Sequence, residues 1–298
     1  MMVNMNPPLT THHSPLKFSL GLIGYPLGHS LSPQIHGAAL RTLNLSGEYK
    51  LYPVDPTIQG RSKLAELLNV VRAEEIHGLN VTIPHKQNVI PLLDELTPAA
   101  KAIGAVNTIF KRDDTLVGDN TDAPGFWADL QRLAVSGQQA FATGDKPSAI
   151  ILGAGGSARA VAYALLTHGW RVTIAARRME QAEELCVQFS VFSRQLSVVR
   201  FENAQLTTRY SLLVNTTPVG MQPHEDESPW PGNLPFPGNA AIYDLVYNPR
   251  ATLLVKRARE AGLPAVTGLG MLIEQAALAF ERWTGLEAPR EAMQKAVC

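Results

Sequence analysis

The stretch that most narrows the fold is Gly153-Ala154-Gly155-Gly156-Ser157-Ala158. A short apolar run, Ala149 to Leu152, leads into it, and a helical run of small residues follows, read from about Arg159 to His168. Gly153 permits a tight turn after a buried strand, Gly155 lets backbone approach a diphosphate, and Ala158 allows the helix to pack closely. The first N–H groups of that helix offer positive dipole to phosphate oxygens. Ala154, Gly156 and Ser157 complete the candidate cofactor loop. The plainer reading is a glycine turn with no ligand, and the strand before it and helix after it count against that.

The choice of dinucleotide depends on the end of the next strand, Arg171 to Ala175. NAD sites usually place an acid there, about 20 residues on, for the ribose 2′-hydroxyl. This chain has Ala175-Ala176-Arg177-Arg178. Two guanidinium groups can pair with a 2′-phosphate, so NADP is favoured. The alternatives are that the arginines solvate a helix start, and that nearby Glu180 serves NAD.

Around this turn, strands alternate with helices. Phe18 to Ile23, Tyr49 to Val54 and Gly78 to Ile83 read as strands. Helices fall at Ser32-Pro33 onward, with Ile35, Ala38, Ala39 and Leu43 on one face, and at Arg61 to Val71. Val106 to Lys111 and Leu116 to Gly118 read as a hairpin. The second series continues with a helix from Glu180, strands at Ser211 to Asn215 and Ala241 to Val246, and a final helix from Gly270 to Thr284. Such alternation predicts an α/β fold with parallel sheets wound in βαβ units. Pro223 to Gly238, rich in Pro, Gly and acid, reads as a long surface loop.

At 298 residues two domains are expected. Lys+Arg and Asp+Glu both count 26, so no basic excess marks a nucleic-acid or anionic-membrane partner. No apolar run approaches the roughly 18 residues of a membrane span. Cys186 and Cys298 form neither a disulfide framework nor a zinc cluster, so no metal is expected and a cytoplasmic location is. The first sixteen residues read as a loose tail.

Proton-transfer groups gather where the first strands end. The clusters are Ser30-Leu31-Ser32, Thr82-Ile83-Pro84-His85-Lys86, Ala105-Val106-Asn107-Thr108 and Gly118-Asp119-Asn120-Thr121-Asp122. Lys86 and Asp122 are the natural pair for moving an alcohol proton. Asn107 can hold a hydroxyl, and Ser30 and Ser32 a carboxylate. Each has a bland counterpart. A lone lysine is usually a solvated charge, and the serines and Asp122 could be helix caps. Asn107 and Asn120 could be turn residues, and His29 and His85 read as loop residues.

From Gly21 to about Thr284 the chain resembles shikimate dehydrogenase. The likeness rests on residues 24–33 (Gly-Tyr-Pro-Leu-Gly-His-Ser-Leu-Ser-Pro), 80–86 (Asn-Val-Thr-Ile-Pro-His-Lys), 104–108 (Gly-Ala-Val-Asn-Thr) and 118–122 (Gly-Asp-Asn-Thr-Asp). It extends to the Gly153 turn, Asn215-Thr216-Thr217-Pro218, Tyr243-Asp244 and Gly268-Leu269-Gly270-Met271-Leu272. The resemblance implies NADPH-dependent reduction of 3-dehydroshikimate to shikimate, in chorismate and aromatic amino acid biosynthesis. It gives Lys86 and Asp122 the catalytic roles, and places the carboxylate on Ser30, Ser32 and Tyr247. Ring hydroxyls fall to Thr82, Asn107, Gln275, Lys86 and Asp122. The diphosphate goes to residues 153–157, the adenosine phosphate end to Ala176, Arg177, Arg178 and Gln181, and the nicotinamide to Leu245 and Gly268.

It also implies a substrate-binding domain of residues 1–123 and 268–298, with the C-terminal helix returning to it, and a Rossmann-like NADP domain of 124–267. A homodimer follows from likeness only. The chain departs from the family at Ala176-Arg177-Arg178, where Asn-Arg-Thr is usual, at Gln181 in place of an Arg, and at His85, where an apolar residue is frequent. His85 either tunes the lysine or faces solvent. Two competing readings are an NAD-using quinate/shikimate dehydrogenase and a non-catalytic module that senses shikimate.

Overall fold

The computed structural model describes residues 17–135, 146–201 and 210–298; the loose-tail reading of residues 1–16 lies outside them. The first six strands are β1 (Phe18–Gly24), β2 (Gly47–Pro53), β3 (Gly78–Val81), β4 (Glu95–Leu96), β5 (Thr108–Arg112) and β6 (Thr115–Asp119). They form one sheet in the order β2-β1-β3-β5-β6-β4. The hairpin strand β5 runs antiparallel to both β3 and β6, so this sheet is mixed where a parallel one was expected. The two halves of the hairpin are joined by a tight turn through Asp113, whose φ of 53° closes it. No crossover helix fits in so short a link.

Register places the site. Leu22 pairs with Asn80, Asn80 with Thr108, and Thr108 with Asp119, which makes one row across the sheet. The segments just beyond that row, Thr82–Lys86, Asn107 and Asn120–Asp122, therefore emerge along a single edge.

The second sheet is wholly parallel, in the order β12-β11-β10-β7-β8-β9. Its strands are β7 (Ser148–Leu152), β8 (Arg171–Ala176), β9 (Leu196–Arg200), β10 (Leu212–Asn215), β11 (Ala241–Asp244) and β12 (Ala265–Thr267). After β9 the chain returns to the other side of β7, so the Gly153 turn sits where strand order reverses, the usual ligand crevice of such sheets. Leu152, Ala175, Asn215, Asp244 and Thr267 are in register at that edge.

Helices α1 (Ser32–Thr42), α2 (Ile58–Arg72) and α3 (Pro98–Ile103) belong with the first sheet; α5 (Gly156–Thr167), α6 (Met179–Gln188) and α7 (Leu253–Glu260) with the second. Helix α4 (Asp122–Val135) leaves the first sheet for the second, and α8 (Leu269–Thr284) makes the return crossing, followed by α9 (Arg290–Lys295). Ile273, Ala276, Phe280 and Trp283 of α8 and Met293 of α9 share one core with Phe18, Leu20 and Ile35. The stretch Pro223–Gly238 has neither helix nor strand, yet it is pinned by Trp230, which is fully buried and packs on Phe236.

Candidate active site

Lys86 sits in the turn after β3. That turn is fixed by bonds from Thr82 N–H to the Ile23 carbonyl (2.8 Å) and from Val106 N–H to the Lys86 carbonyl (2.7 Å). The lysine is only 9% exposed, so the reading of a solvated surface charge fails here. Its Nζ donates to Asp122 Oδ2 at 2.6 Å and to Ser157 Oγ at 3.2 Å. Asp122 opens α4, but Asn120 does the capping, its Oδ1 accepting from Ala123 N–H at 3.1 Å. The Asp122 carboxylate is thereby left to Lys86.

Asn107 joins the pair. Its Nδ2 lies 3.0 Å from Asp122 Oδ1, 2.9 Å from Thr121 Oγ1 and 3.2 Å from Gln275 Oε1. Two amide protons face three acceptors, an arrangement in which ligand hydroxyls can take up the spare capacity. Gln275 reaches this point because α8 crosses back; its Nε2 is held by the Leu272 carbonyl at 2.9 Å.

Neither serine is the N-cap residue of α1, though Ser30 Oγ accepts from Ser32 N–H at 3.3 Å where that helix begins. The N-cap of α1 is Leu31, with no side-chain bond, and Pro33 fills the first turn. Both serines line the same cavity as Lys86. Tyr247 comes from the loop after β11 to hydrogen-bonding reach of the Ser30 side chain and the Leu31 backbone, and burial pushes its phenol up. Thr82 and His29 also line the cavity.

In the turn after β7, Gly153 has φ +110°, and a side chain there would meet Thr216 Oγ1 at 2.8 Å. A side chain at Gly155 would meet nothing within 4 Å. Gly155 is also the N-cap of α5 and brings no side chain to its first N–H groups. An open notch in front of uncapped helix donors fits an anionic diphosphate. Arg177 and Arg178 are exposed, and no ion pair involves either among the described residues. They stand at the start of α6, the end of a helix where cations are disfavoured, so helix stability does not account for them. They fit a 2′-phosphate. Ala176 is buried beside them and Gln181 is half-buried on the first turn of α6. Leu245 and Gly268 touch so closely that a side chain at Gly268 would lie 2.5 Å from the Leu245 carbonyl. Ser157, Leu245 and Gly268 line the same cavity as Lys86, which has a volume of about 250 Å³.

His85 does not face solvent. It is 2% exposed, and its Nε2 lies 2.7 Å from the Val54 carbonyl, which fastens the Lys86 turn to the end of β2. Sequence reasoning gave no site role to Asn80, whose Oδ1 accepts from Tyr49 Oη at 2.8 Å and whose Nδ2 lies 3.2 Å from the Asn107 carbonyl. The signal was available, since Asn80 and Thr82 are two apart in the stretch read as a strand over 78–83, which puts them on one face. Thr216, Thr217 and Met271 also line the cavity; they lie in motifs that carry the resemblance, but sequence reasoning gave them no role.

Residues 22–109 match the family described as the shikimate dehydrogenase substrate binding domain, and residues 268–298 the shikimate 5'-dehydrogenase C-terminal domain. The shikimate dehydrogenase (NADP(+)) of Carboxydothermus hydrogenoformans is 41% identical over 278 residues, 93% of this chain and 95% of that protein. The crystal structure of shikimate 5-dehydrogenase from Thermus thermophilus in complex with NADP(H) and shikimate matches with a TM-score of 0.77 at 38% identity, covering 94% of this chain and 98% of that one. Quinate dehydrogenase from Corynebacterium glutamicum in complex with NAD matches with a TM-score of 0.80 at 31% identity, over 94% and 98%. With most of its length aligned at about two residues in five, the chain belongs to the shikimate dehydrogenase family.

Proposed function

We propose that the chain is an NADP-dependent shikimate dehydrogenase, reversibly reducing 3-dehydroshikimate to shikimate. The observation that carries this is the Lys86–Asp122 pair, 2.6 Å apart and buried, in a cavity that Ser157 of the glycine turn also lines. In the oxidative direction the 3-hydroxyl proton passes to neutral Lys86 Nζ while the carbinol carbon gives up its hydride, leaving the ketone. In the reductive direction the Lys86 ammonium polarises the ketone and returns the proton to its oxygen. Asp122 orients the lysine and stabilises its cationic form. Bound nicotinamide supplies the hydride donor or acceptor.

Likeness to the family supports the remaining roles. Ser30, Ser32 and Tyr247 hold the carboxylate, and Thr82, Asn107 and Gln275 the ring hydroxyls. Gly153, Ala154, Gly155, Gly156 and Ser157 bear the diphosphate, and Arg177 and Arg178, with Ala176 and Gln181, the adenosine phosphate end. Leu245 and Gly268 line the nicotinamide pocket. Residues 1–123 and 268–298 form the substrate unit and 124–267 the cofactor unit. Family likeness also supports a cytoplasmic homodimer, which light scattering of the purified protein would reveal as twice the 32.3 kDa chain mass.

The test is an absorbance assay at the reduced-nicotinamide band, with shikimate or quinate crossed against NADP or NAD. Shikimate with NADP is expected to give the highest kcat/KM. Equal or better turnover of quinate with NAD moves the chain to the quinate/shikimate enzymes. Shikimate binding without turnover makes it a sensing module.

A further inference from the structure

The lysine ammonium has three N–H bonds. One goes to Asp122 Oδ2 at 2.6 Å, and a second to Ser157 Oγ at 3.2 Å. Ser157 belongs to the glycine turn of the other sheet, so the two halves of the molecule hold one side chain between them. The neighbouring residue makes room for it. A side chain at Gly156 would meet Lys86 Cβ at 3.1 Å and Cδ at 3.2 Å, with Ala105 Cβ next at 3.7 Å. Gly153 has a positive φ and Gly156 does not, so backbone conformation does not demand glycine at 156. A side chain there would press on the lysine stem.

We propose that Ser157, seated in the notch that Gly156 leaves, is a positioning residue that holds the Lys86 ammonium from the cofactor side. This rests on the reading of the chain as a shikimate dehydrogenase. With Asp122 and Ser157 taking two N–H bonds, the third is left for the substrate oxygen. A lysine held by Asp122 alone can rotate about its last bonds and spread that third donor over a cone. The hydroxyl therefore makes proton transfer depend on the glycine turn being drawn up against Lys86, and so on the same movement that brings a nicotinamide to the substrate.

The test uses Ser157→Ala, with Ser157→Thr as the variant that keeps a hydroxyl. Ser157→Ala is expected to lower kcat for shikimate oxidation about tenfold, a part of the roughly 10²- to 10⁴-fold that a positioned proton-transfer group supplies. The pH–rate profile changes with it, because the proton-transferring nitrogen has lost one of its two protein partners. The dissociation constant for NADP+, from quenching of protein fluorescence, stays within about threefold, since backbone N–H groups carry most of the diphosphate contact. Ser157→Thr restores kcat and the profile.

Unchanged kcat and pH profile in Ser157→Ala overturn the proposal. So does a loss confined to NADP+ affinity, which would give the hydroxyl to the diphosphate alone. If the unaltered protein turns over no pairing of substrate and cofactor, the functional reading fails by itself. The contact is then read from the Lys86 ¹⁵Nζ resonance, whose proton exchange should quicken in Ser157→Ala; an unchanged exchange rate overturns the proposal there too.

Discussion

Lys86 carries the largest expected effect of any single residue. Lys86→Ala is expected to reduce kcat by several orders of magnitude, with shikimate still binding through the other polar groups of the cavity, as titration calorimetry can measure. An active variant would remove the proposed mechanism. Two other residues set how stability responds to pH, and they pull in opposite directions. His36 is wholly buried, stacked on Tyr49 at 4.4 Å, and burial drives its pKa down to about 3. The folded state then binds fewer protons than the unfolded state between about pH 3 and 6.5, so this group's contribution is full above pH 6.5 and is lost as pH falls. At about 1.4 kcal/mol per unit, that is roughly 5 kcal/mol. Asp244 has its pKa pushed up to about 6 by burial, against bonds from Thr252, Val246 and Asn215. Its contribution is full below about pH 3.8 and is lost as pH rises through 6, roughly 3 kcal/mol in all. Urea unfolding across pH 4 to 7 should therefore show His36→Phe narrowing the acid-side loss and Asp244→Asn widening it. The chemistry of Lys86 and Asp122 was legible in their motifs. The Ser157 contact was not, because residues 71 apart in sequence on different sheets have no shared local pattern.

At the level of elements, the crossing of α4 over α8 delivers Gln275 to the site. A side chain at Gly125 would lie 2.8 Å from the Gln275 backbone nitrogen and 3.0 Å from its Cβ. Backbone on that side cannot swing away as a side-chain tip can. Gly125→Ala is expected to push α8 outward, cost about 1–3 kcal/mol in stability, and raise the KM for shikimate more than it lowers kcat. Thermal melts and steady-state kinetics on one preparation check both. Long elements with clean periodicity were legible: α2 was read as Arg61 to Val71 and runs Ile58–Arg72, its N-cap Thr57 accepting from Gly60 N–H. The short ones were not. The two residues of β4 and the six each of α3 and α9 are too brief to show a period, and tertiary packing decides them. The antiparallel β5–β6 pair was seen as a hairpin, but its effect on the whole sheet was missed, because strand neighbours are a long-range property.

Across the whole molecule, buried acids bind the two halves. Tyr243 of β11 donates to Asp129 Oδ2 of α4 at 2.6 Å, and Arg132 bridges Asp129 (3.3 Å) to Glu274 of α8 (2.9 Å). Burial raises the Asp129 pKa, while the Tyr243 hydroxyl pulls it back. Tyr243→Phe leaves that carboxylate short of a donor in a dry place, so a loss of about 1–3 kcal/mol in urea unfolding is expected. The two-sheet plan was legible because the strand–helix alternation restarts after the hairpin. The crossing helices were less so, since nothing in their composition names the sheet they serve.

The core under β1 and α1 is finished by α8 and α9, segments that lie some 250 residues later in sequence. On a ribosome, where chain emerges from its first residue, the cofactor sheet can assemble while the half that appeared first still waits for its lid. A nascent chain stopped just before Leu269 would thus hold a nucleotide fold beside an open, sticky layer of Phe18, Leu20 and Ile35. That fragment should be a target for chaperones and proteases, whatever its first half had already managed to build.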